Sequence, residues 1–261
     1  MFGVVPKSLW QKFNPPDENN MCTWAMRCLL IEDGDKLILI DNGIGDKQDS
    51  KFLGYYHLHG EHSLMKSIHS AGFSESDVTD MFLTHLHFDH CGGGVRVENG
   101  KSALTFDRAT YWSNEDHWNW ATQPNAREKA SFLKENILPI QESGQLKMAK
   151  VNEQSPLAQF KIMCVSGHTD KMMIPMIPYK GTTVCYVADL IPSIGHIPVP
   201  YVMGYDTRPL VTIEEKERFL KIAADNQYVL YFEHDPVHEC CTVKNTEKGV
   251  RLDRAFALRD L

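Results

Sequence analysis

The side chains with the clearest chemistry lie in one six-residue run. His85, His87, Asp89 and His90 follow one another with one residue or none between them. Because alternate side chains of an extended segment point to the same side, His85, His87 and Asp89 are expected to converge, while His90 faces a second point nearby. Imidazole and carboxylate groups bind zinc, iron or manganese. Four such groups exceed what one tetrahedral ion needs from one loop, so the run predicts two metal ions that share a site.

Further ligands must come from elsewhere in the chain. His168, Asp189 and His234 each stand where a predicted strand gives way to a loop, which is where sites tend to be built. Taken singly, each has an ordinary alternative: a turn histidine, a capping aspartate, or a histidine satisfied at a strand end. Their shared position favours metal ligation.

The elements that must position these residues are mostly short strands. Asp33-Gly34-Asp35 is a hairpin turn signal, and Thr212 with Glu215 is expected to form a capping box at the start of a helix. The order of elements predicts two mixed sheets with helices outside, in a single α/β domain that spans residues 1–261. Strands are predicted at 24–31, 36–41, 81–84, 110–113, 159–165, 172–179, 182–188 and 228–232, and helices at 62–71, 126–137 and 212–224.

Composition restricts the partners. The 261 residues are 43% hydrophobic and 23% charged, as in an ordinary globular protein, and the net charge of −7 argues against a nucleic acid or an anionic membrane as partner. A small-molecule substrate is expected, with a second copy of the chain, in a homodimer, as the candidate protein partner. The absence of a long apolar stretch and of a signal peptide predicts a cytoplasmic location. The seven scattered cysteines suit a reducing compartment, and Cys91 is expected to pack rather than to react.

The order of these motifs resembles the metallo-β-lactamase superfamily. The resemblance rests on HLHFDH at 85–90, the later GHT at 167–169, the aspartate and the histidine at two strand ends, and IDNGIG at 40–45. It covers roughly residues 29–234. The resemblance implies an α/β fold of the four-layer αβ/βα sandwich type, with the metals at one edge of the two sheets.

The resemblance also implies how the ligands are shared. One ion would be held by His85, His87 and His168. The other ion would be held by Asp89, His90 and His234, and Asp189 would bridge the two ions.

Within the superfamily, the spacing resembles the N-acyl-homoserine lactone lactonases, including Phe88 before the aspartate, and is also compatible with relatives that hydrolyse methyl parathion. Those lactonases carry a tyrosine three residues after the bridging aspartate, where this chain has Pro192. His196, Tyr201 or Tyr205 is predicted to supply the missing hydrogen-bond donor. The alternative is that His196 is a surface loop residue and the tyrosines belong to the core.

The predicted function is hydrolysis by a two-metal site. Two cations a few ångströms apart lower the pKa of a bridging water and supply hydroxide near neutral pH. Asp89 would position the nucleophile or carry its proton to the leaving group. Lactones and esters are the favoured substrates and phosphotriesters or phosphodiesters the alternative, while an iron site that binds or reduces a small molecule is the alternative of another class. Zinc is expected as the cofactor, with manganese and iron left open.

Two further interpretations concern segments outside the motifs. Tyr111, Trp112, Trp118 and Trp120 would either wall an apolar substrate pocket or fill the core, and core packing is the more common explanation. Residues 1–20 contain three prolines and look irregular, although the superfamily usually opens with a strand, so Met1 is hypothesised not to be the biological start.

Overall fold

The computed structural model describes residues 1–150, 157 and 160–261. Contacts between Cα atoms divide the chain into two compact units, one of residues 28–149 and one of residues 1–27 with the described residues from 150 onward. Each unit is built round one main sheet. The expected single domain over residues 1–261 therefore stays a prediction.

The described residues form thirteen strands, numbered in chain order. They are β1 Leu29–Asp33, β2 Lys36–Ile40, β3 Asp80–Phe82, β4 Val95–Glu98, β5 Lys101–Leu104, β6 Thr110–Ser113, β7 Leu146–Met148, β8 Lys161–Val165, β9 Met172–Tyr179, β10 Thr182–Tyr186, β11 Val229–Tyr231, β12 Cys240–Thr246 and β13 Gly249–Phe256.

Seven α-helices accompany these strands in the described part of the chain. They are α1 Lys7–Trp10, α2 Ser50–Gly54, α3 Leu64–Ser70, α4 Phe88–Cys91, α5 Glu115–Thr122, α6 Lys134–Glu142 and α7 Pro209–Asp225. No helix among the described residues has both the length and the apolar character that a membrane crossing would need.

The unit of residues 28–149 has a five-stranded sheet in the order β1-β2-β3-β6-β7 and a separate hairpin of β4 with β5. The hairpin of β1 and β2 is antiparallel, as the turn signal predicts, and the other pairs are parallel. β3 lies at the centre and all three of its residues are buried, which suits a strand in a parallel region. Its carboxyl end leads directly to the histidine run, so the core of this unit fixes where that run starts.

The other unit has a six-stranded sheet in the order β13-β12-β11-β10-β9-β8. β10 and β11 run parallel to each other, and the remaining pairs are antiparallel. α7 packs on β12 and buries Phe219, Leu220 and Ala223. Asp189 and His234 come just after β10 and β11, so these parallel neighbours bring both residues to the same edge of the sheet.

The helix predicted at 126–137 is misplaced. Residues 126–131 form turns, because the Asn125 side chain accepts the backbone N–H groups of Arg127 and Glu128 and so replaces helical partners. α6 begins only at Lys134 and continues through Pro139. The sequence prediction also missed α5, which starts where the Asn114 side chain accepts the N–H of His117.

The capping box predicted at Thr212 and Glu215 is wrong. α7 starts one turn earlier at Pro209, a residue whose fixed φ suits the first turn of a helix. Thr212 is buried inside the helix. The Glu215 carboxylate instead accepts the backbone N–H groups of Ser166 and Gly167, at 2.8 and 2.9 Å, and thereby fixes the turn that leads to His168.

The first predicted strand is shorter than expected. Its opening residues do not join β1, because the N–H groups of Ala25 and Arg27 donate to the carbonyls of His234 and Glu233. The predicted strand 159–165 is confirmed from Lys161 to Val165, and residue 159 lies outside the described residues.

One buried cation holds the loop that follows β10. The Nζ of Lys216, fully buried on α7, donates to the carbonyl oxygens of His196, Pro198 and Tyr201 at 2.9, 3.1 and 2.7 Å. Burial lowers the pKa of Lys216 to about 7, although the charge of Asp206 acts in the opposite direction. Three carbonyls match the three N–H donors of an ammonium group, so this lysine is the anchor of residues 196–201.

Replacing Lys216 with methionine is expected to destabilise the protein, because three buried carbonyl oxygens lose their donor. The expected loss is about 1–3 kcal/mol in the free energy of unfolding, measured by urea denaturation. Lys221→Met on the same helix is the control, since the Lys221 pair with Asp225 is exposed and should change stability little. Equal stability of Lys216→Met and the parent protein would show that the three bonds do not anchor the loop.

Candidate metal centre

The histidine run brings nitrogen atoms of two imidazole rings together, with the ring planes at 79° to each other. Nε2 of His85 and Nδ1 of His87 lie 3.1 Å apart, and both residues are buried. The run is extended only as far as His87, because α4 begins at Phe88. Asp89 therefore does not share the alternation predicted for it. It lies in the first turn of α4 beside His90, with Oδ2 3.9 Å from Nε2 of that histidine.

A buried aspartate orients two of these rings. Thr84 Oγ1 lies 3.1 Å from Nδ1 of His85 and donates to Oδ2 of Asp41 at 2.6 Å. The same Oδ2 is 3.0 Å from Nδ1 of His90. With Nδ1 protonated on both rings, each Nε2 presents a lone pair, which is the form that a metal ion requires.

In His87 the two ring nitrogens have exchanged places: Nε2 faces a glutamate and Nδ1 faces the neighbouring histidine. Its Nε2 lies 3.5 Å from Oε1 of Glu128, a buried carboxylate that also accepts from Trp120 Nε1 at 2.8 Å. With Nε2 protonated toward Glu128, Nδ1 of His87 is the lone-pair nitrogen that faces His85. Two lone pairs converging at 3.1 Å repel each other unless a cation lies between them, so the pair fits a metal ion.

Two backbone contacts fix the ends of the run. Nε2 of the buried His117 accepts the N–H of Leu86, which holds the peptide between the two facing histidines. Beyond α4, Gly92 lies so close to the loop after β2 that a Cβ there would be 2.1 Å from the carbonyl oxygen of Ile44. Any larger residue at 92 would push away the loop that begins at Asp41.

In the other unit, one carboxylate joins two histidines. Oδ2 of Asp189 is 3.0 Å from Nε2 of His168, and Oδ1 is 3.0 Å from Nε2 of His234. Nδ1 of His234 is 2.8 Å from the carbonyl oxygen of Ala25, so that nitrogen carries a proton and Nε2 faces the aspartate. A carboxylate that presents one oxygen to each of two imidazole groups is disposed to bridge two cations.

His168 is held by a second carboxylate on its other side. Oδ1 of Asp206 lies 3.0 Å from Nδ1 of His168, and Oδ2 accepts the N–H of Met203. Burial lowers the pKa of His168, but Asp189 and Asp206 outweigh it and raise the pKa to about 10. Below that pH the metal-free ring carries a proton that a metal ion must displace.

Within each unit, the predicted ligands are a set of histidine and carboxylate side chains of the kind that bind a metal ion. All except Asp89 are buried. Their chemistry, imidazole and carboxylate without thiolate, fits zinc, manganese or iron. The set is His85, His87, Asp89 and His90 in the unit of residues 28–149, and His168, Asp189 and His234 in the other unit.

Of the three candidate hydrogen-bond donors, Tyr201 is half-buried, and His196 and Tyr205 lie in contrasting surroundings. His196 is fully buried, its ring stacks on Phe2 with centroids 4.2 Å apart, and Nδ1 lies 2.9 Å from Ser193 Oγ. Burial lowers its pKa to about 3, so the ring is neutral. His196 is therefore not the surface residue of the alternative interpretation, and its contacts do not favour a role toward substrate. Tyr205 is 60% exposed, and its role stays a prediction.

Two other sequence interpretations concerned residues near the run. Cys91 is buried, and burial raises the pKa of its thiol to about 12, which fits a packing residue. Tyr111 and Trp112 are buried, and their polar atoms donate to the Gly94 carbonyl and to Asp80. Trp118 is buried as well, so core packing accounts for these aromatic residues.

Sequence reasoning missed the residues that orient the ligands. Asp41 had a signal, since it stands in the IDNGIG segment on which the resemblance partly rests. Asp206, Glu128 and His117 had none, because nothing in the sequence links them to their distant partners.

Replacing Asp206 with asparagine is expected to weaken zinc binding about 10–100-fold, because His168 loses the carboxylate that holds its ring. Affinity is measured by competition with a chelator, and binding of the parent protein should strengthen as pH rises toward 10, as His168 gives up its proton. Asp225→Asn, at an exposed aspartate on α7, is the matched control. Unchanged affinity in Asp206→Asn would remove this residue from the site.

Comparisons with known proteins agree with this geometry. Residues 27–106 match the model of the metallo-beta-lactamase superfamily. A probable metal-dependent hydrolase from Staphylococcus aureus is 27% identical, with a TM-score of 0.88 over 100% of this chain and 92% of that chain. AidC, a dizinc quorum-quenching lactonase, is 28% identical, with a TM-score of 0.70 over 90% of this chain and 81% of that chain.

A more distant structure supports the fold alone. The hydrolase AbOPH, of the beta-lactamase superfamily, is 20% identical, with a TM-score of 0.77 over 97% of this chain and 88% of that chain. A search of curated protein sequences gave no match. The predicted metallo-β-lactamase fold is confirmed, and the family model together with these structures supports the resemblance of this chain to that superfamily of hydrolases.

Proposed function

We propose that this chain is a hydrolase that binds two divalent metal ions, zinc above all, and opens lactones or esters of the acyl-homoserine-lactone type. The observation that carries the proposal is the placement of Asp189, whose two oxygens each lie 3.0 Å from Nε2 of a different histidine. A single ion would need only one of those oxygens. Two ions would use both.

The ligands are proposed to divide as the superfamily resemblance implies. His85, His87 and His168 would hold one ion, and Asp189 would bridge it to a second ion. The second ion would be held by Asp89, His90 and His234. Two cations so held would supply a water of lowered pKa and would polarise the substrate oxygen. The oriented lone pairs of the histidines in each unit support this division.

Asp89 is the candidate proton carrier. Its side chain is 30% exposed, whereas the six other proposed ligands are buried. One carboxylate oxygen faces His90, which leaves the other to reach a substrate. A carboxylate in this position can hold the proton of the attacking water and pass it to the leaving oxygen.

An aromatic cluster beside Asp89 supports a substrate with an apolar chain. The rings of Phe52, Tyr56 and Phe88 contact one another, with centroids 4.7–5.3 Å apart. Tyr56 is exposed and Phe88 is half-buried, so the cluster offers apolar surface to solvent. Burial of that surface by an acyl chain would make substrate binding more favourable. The similarity to a dizinc lactonase at 28% identity favours the same class.

The donor that would polarise the lactone carbonyl is proposed to be Tyr205 rather than His196. Pro192 occupies the position of the lactonase tyrosine and has no donor. The ring of His196 is enclosed by Phe2 and Ser193, while the side chain of Tyr205 is exposed.

The test is ring opening by the zinc-reconstituted protein, followed as acid release from N-acyl-homoserine lactones with short and long acyl chains. Asp89→Asn should lower kcat/KM about 10²–10⁴-fold, because a proton carrier is lost. Asp35→Asn, an exposed aspartate in the turn between β1 and β2, is the matched control and should keep full activity.

Acid release from fully metallated protein that is equal in Asp89→Asn and the parent would contradict the role of Asp89. No release at all would end the lactonase proposal, and p-nitrophenyl phosphotriesters and phosphodiesters assayed in parallel would then decide for the alternative substrates. A protein isolated with iron and visible absorption, and inactive on every ester, would favour the redox alternative.

A further inference from the structure

The chain contains a second segment with the ligand pattern of the histidine run. Residues 57–62 read His-Leu-His-Gly-Glu-His, and residues 85–90 read His-Leu-His-Phe-Asp-His. Histidines occupy the first, third and sixth positions of both segments, leucine the second and an acidic residue the fifth. The proposed hydrolase site does not use residues 57–62, and core packing does not require them.

This segment lies in solvent. All six residues from His57 to His62 are exposed, between the end of α2 and the start of α3. His57 has a positive φ of 49°, and Nδ1 of His59 lies 2.9 Å from the carbonyl oxygen of His57. The backbone thus turns at His57, and the His59 imidazole folds back onto the His57 carbonyl oxygen, so the three histidines belong to one short, turned and exposed loop.

Both ends of the segment are anchored within the unit of residues 28–149. Before it, the Tyr56 ring packs against Phe88 with centroids 4.7 Å apart. After it, Ser63 caps α3, and Lys66 Nζ donates to the carbonyl oxygen of Glu61 at 3.2 Å. Because the anchors leave only a short loop to order, closing the loop round an ion costs little conformational entropy.

We propose that residues 57–62 form a separate, solvent-facing metal site in which His57, His59 and His62 bind one divalent transition-metal ion of the zinc or nickel class. Imidazole is a common ligand for both ions, and water or the Glu61 carboxylate completes the coordination. Among the described residues, three or more ligand atoms lie within 4.8 Å of one another in other places but not in this segment. Binding therefore orders the loop, and the site is weaker than the buried one.

The test counts metal ions in the full chain. The zinc-loaded protein is dialysed against free Zn²⁺, or separately Ni²⁺, at increasing concentration, and the bound metal is measured. The parent is expected to take up one ion more than the triple variant His57→Gln/His59→Gln/His62→Gln. Both proteins should retain the same tightly bound metal and the same unfolding midpoint, because the substituted side chains are exposed.

The control is the double variant His69→Gln/His238→Gln, which removes two histidines of the outer surface that lie outside the segment. It should bind as many ions as the parent. Histidine NMR signals identify the ligands, since the imidazole resonances of residues 57, 59 and 62 should shift together on titration. Equal uptake by the parent and the triple variant, or shifts confined to other histidines, would overturn the proposal.

Discussion

The proposed chemistry depends on holding each buried imidazole ring so that one particular nitrogen presents its lone pair to a metal ion. A neutral imidazole offers a lone pair on one nitrogen only while the other carries a proton, and a buried N–H needs an acceptor. Asp41 is that acceptor for His90, and Asp206 is that acceptor for His168. Without these oxygens, a ring could rotate or carry its proton on the wrong nitrogen. Ordering the ring would then reduce the free energy of metal binding.

The oxygen partners stand on loops, which need anchors of their own. The Glu215 carboxylate accepts hydrogen bonds from the backbone before His168. The Lys216 ammonium donates hydrogen bonds to the loop of residues 196–201. Gly92 lets the loop that follows β2 approach the turn beyond α4. Buried charges are costly without partners, so each unit gains its rigidity from a network whose members must all be present.

The candidate ligands could be identified in the sequence because their signals are local. His85 and His87 alternate along the chain, and Asp189 and His234 end apolar runs that read as strands. The orienting residues were not predictable in this way. Thr84 lies 43 residues from Asp41, and His168 lies 38 residues from Asp206, so only the folded chain shows the pairs.

Local sequence patterns predicted the wrong helix start where a polar side chain could make either a helical or a tertiary contact. Thr212 and Glu215 have the spacing of a capping box, yet tertiary contacts with Ser166 and Gly167 take up the glutamate. The helix predicted at 126–137 does not start at residue 126, because the Asn125 side chain closes a turn there. In both places a polar side chain accepts backbone N–H groups in a turn, instead of the helical contact that the pattern predicted.

The proposed chemistry requires that the seven candidate ligands hold two metal ions. The most direct measurement is anomalous X-ray diffraction from crystals of the zinc-loaded protein at the zinc absorption edge. Two peaks are expected, one bound by His85, His87 and His168 and one bound by Asp89, His90 and His234, with Asp189 ligating both. A single peak at these residues, or none in crystals whose zinc content is established, would contradict the proposal.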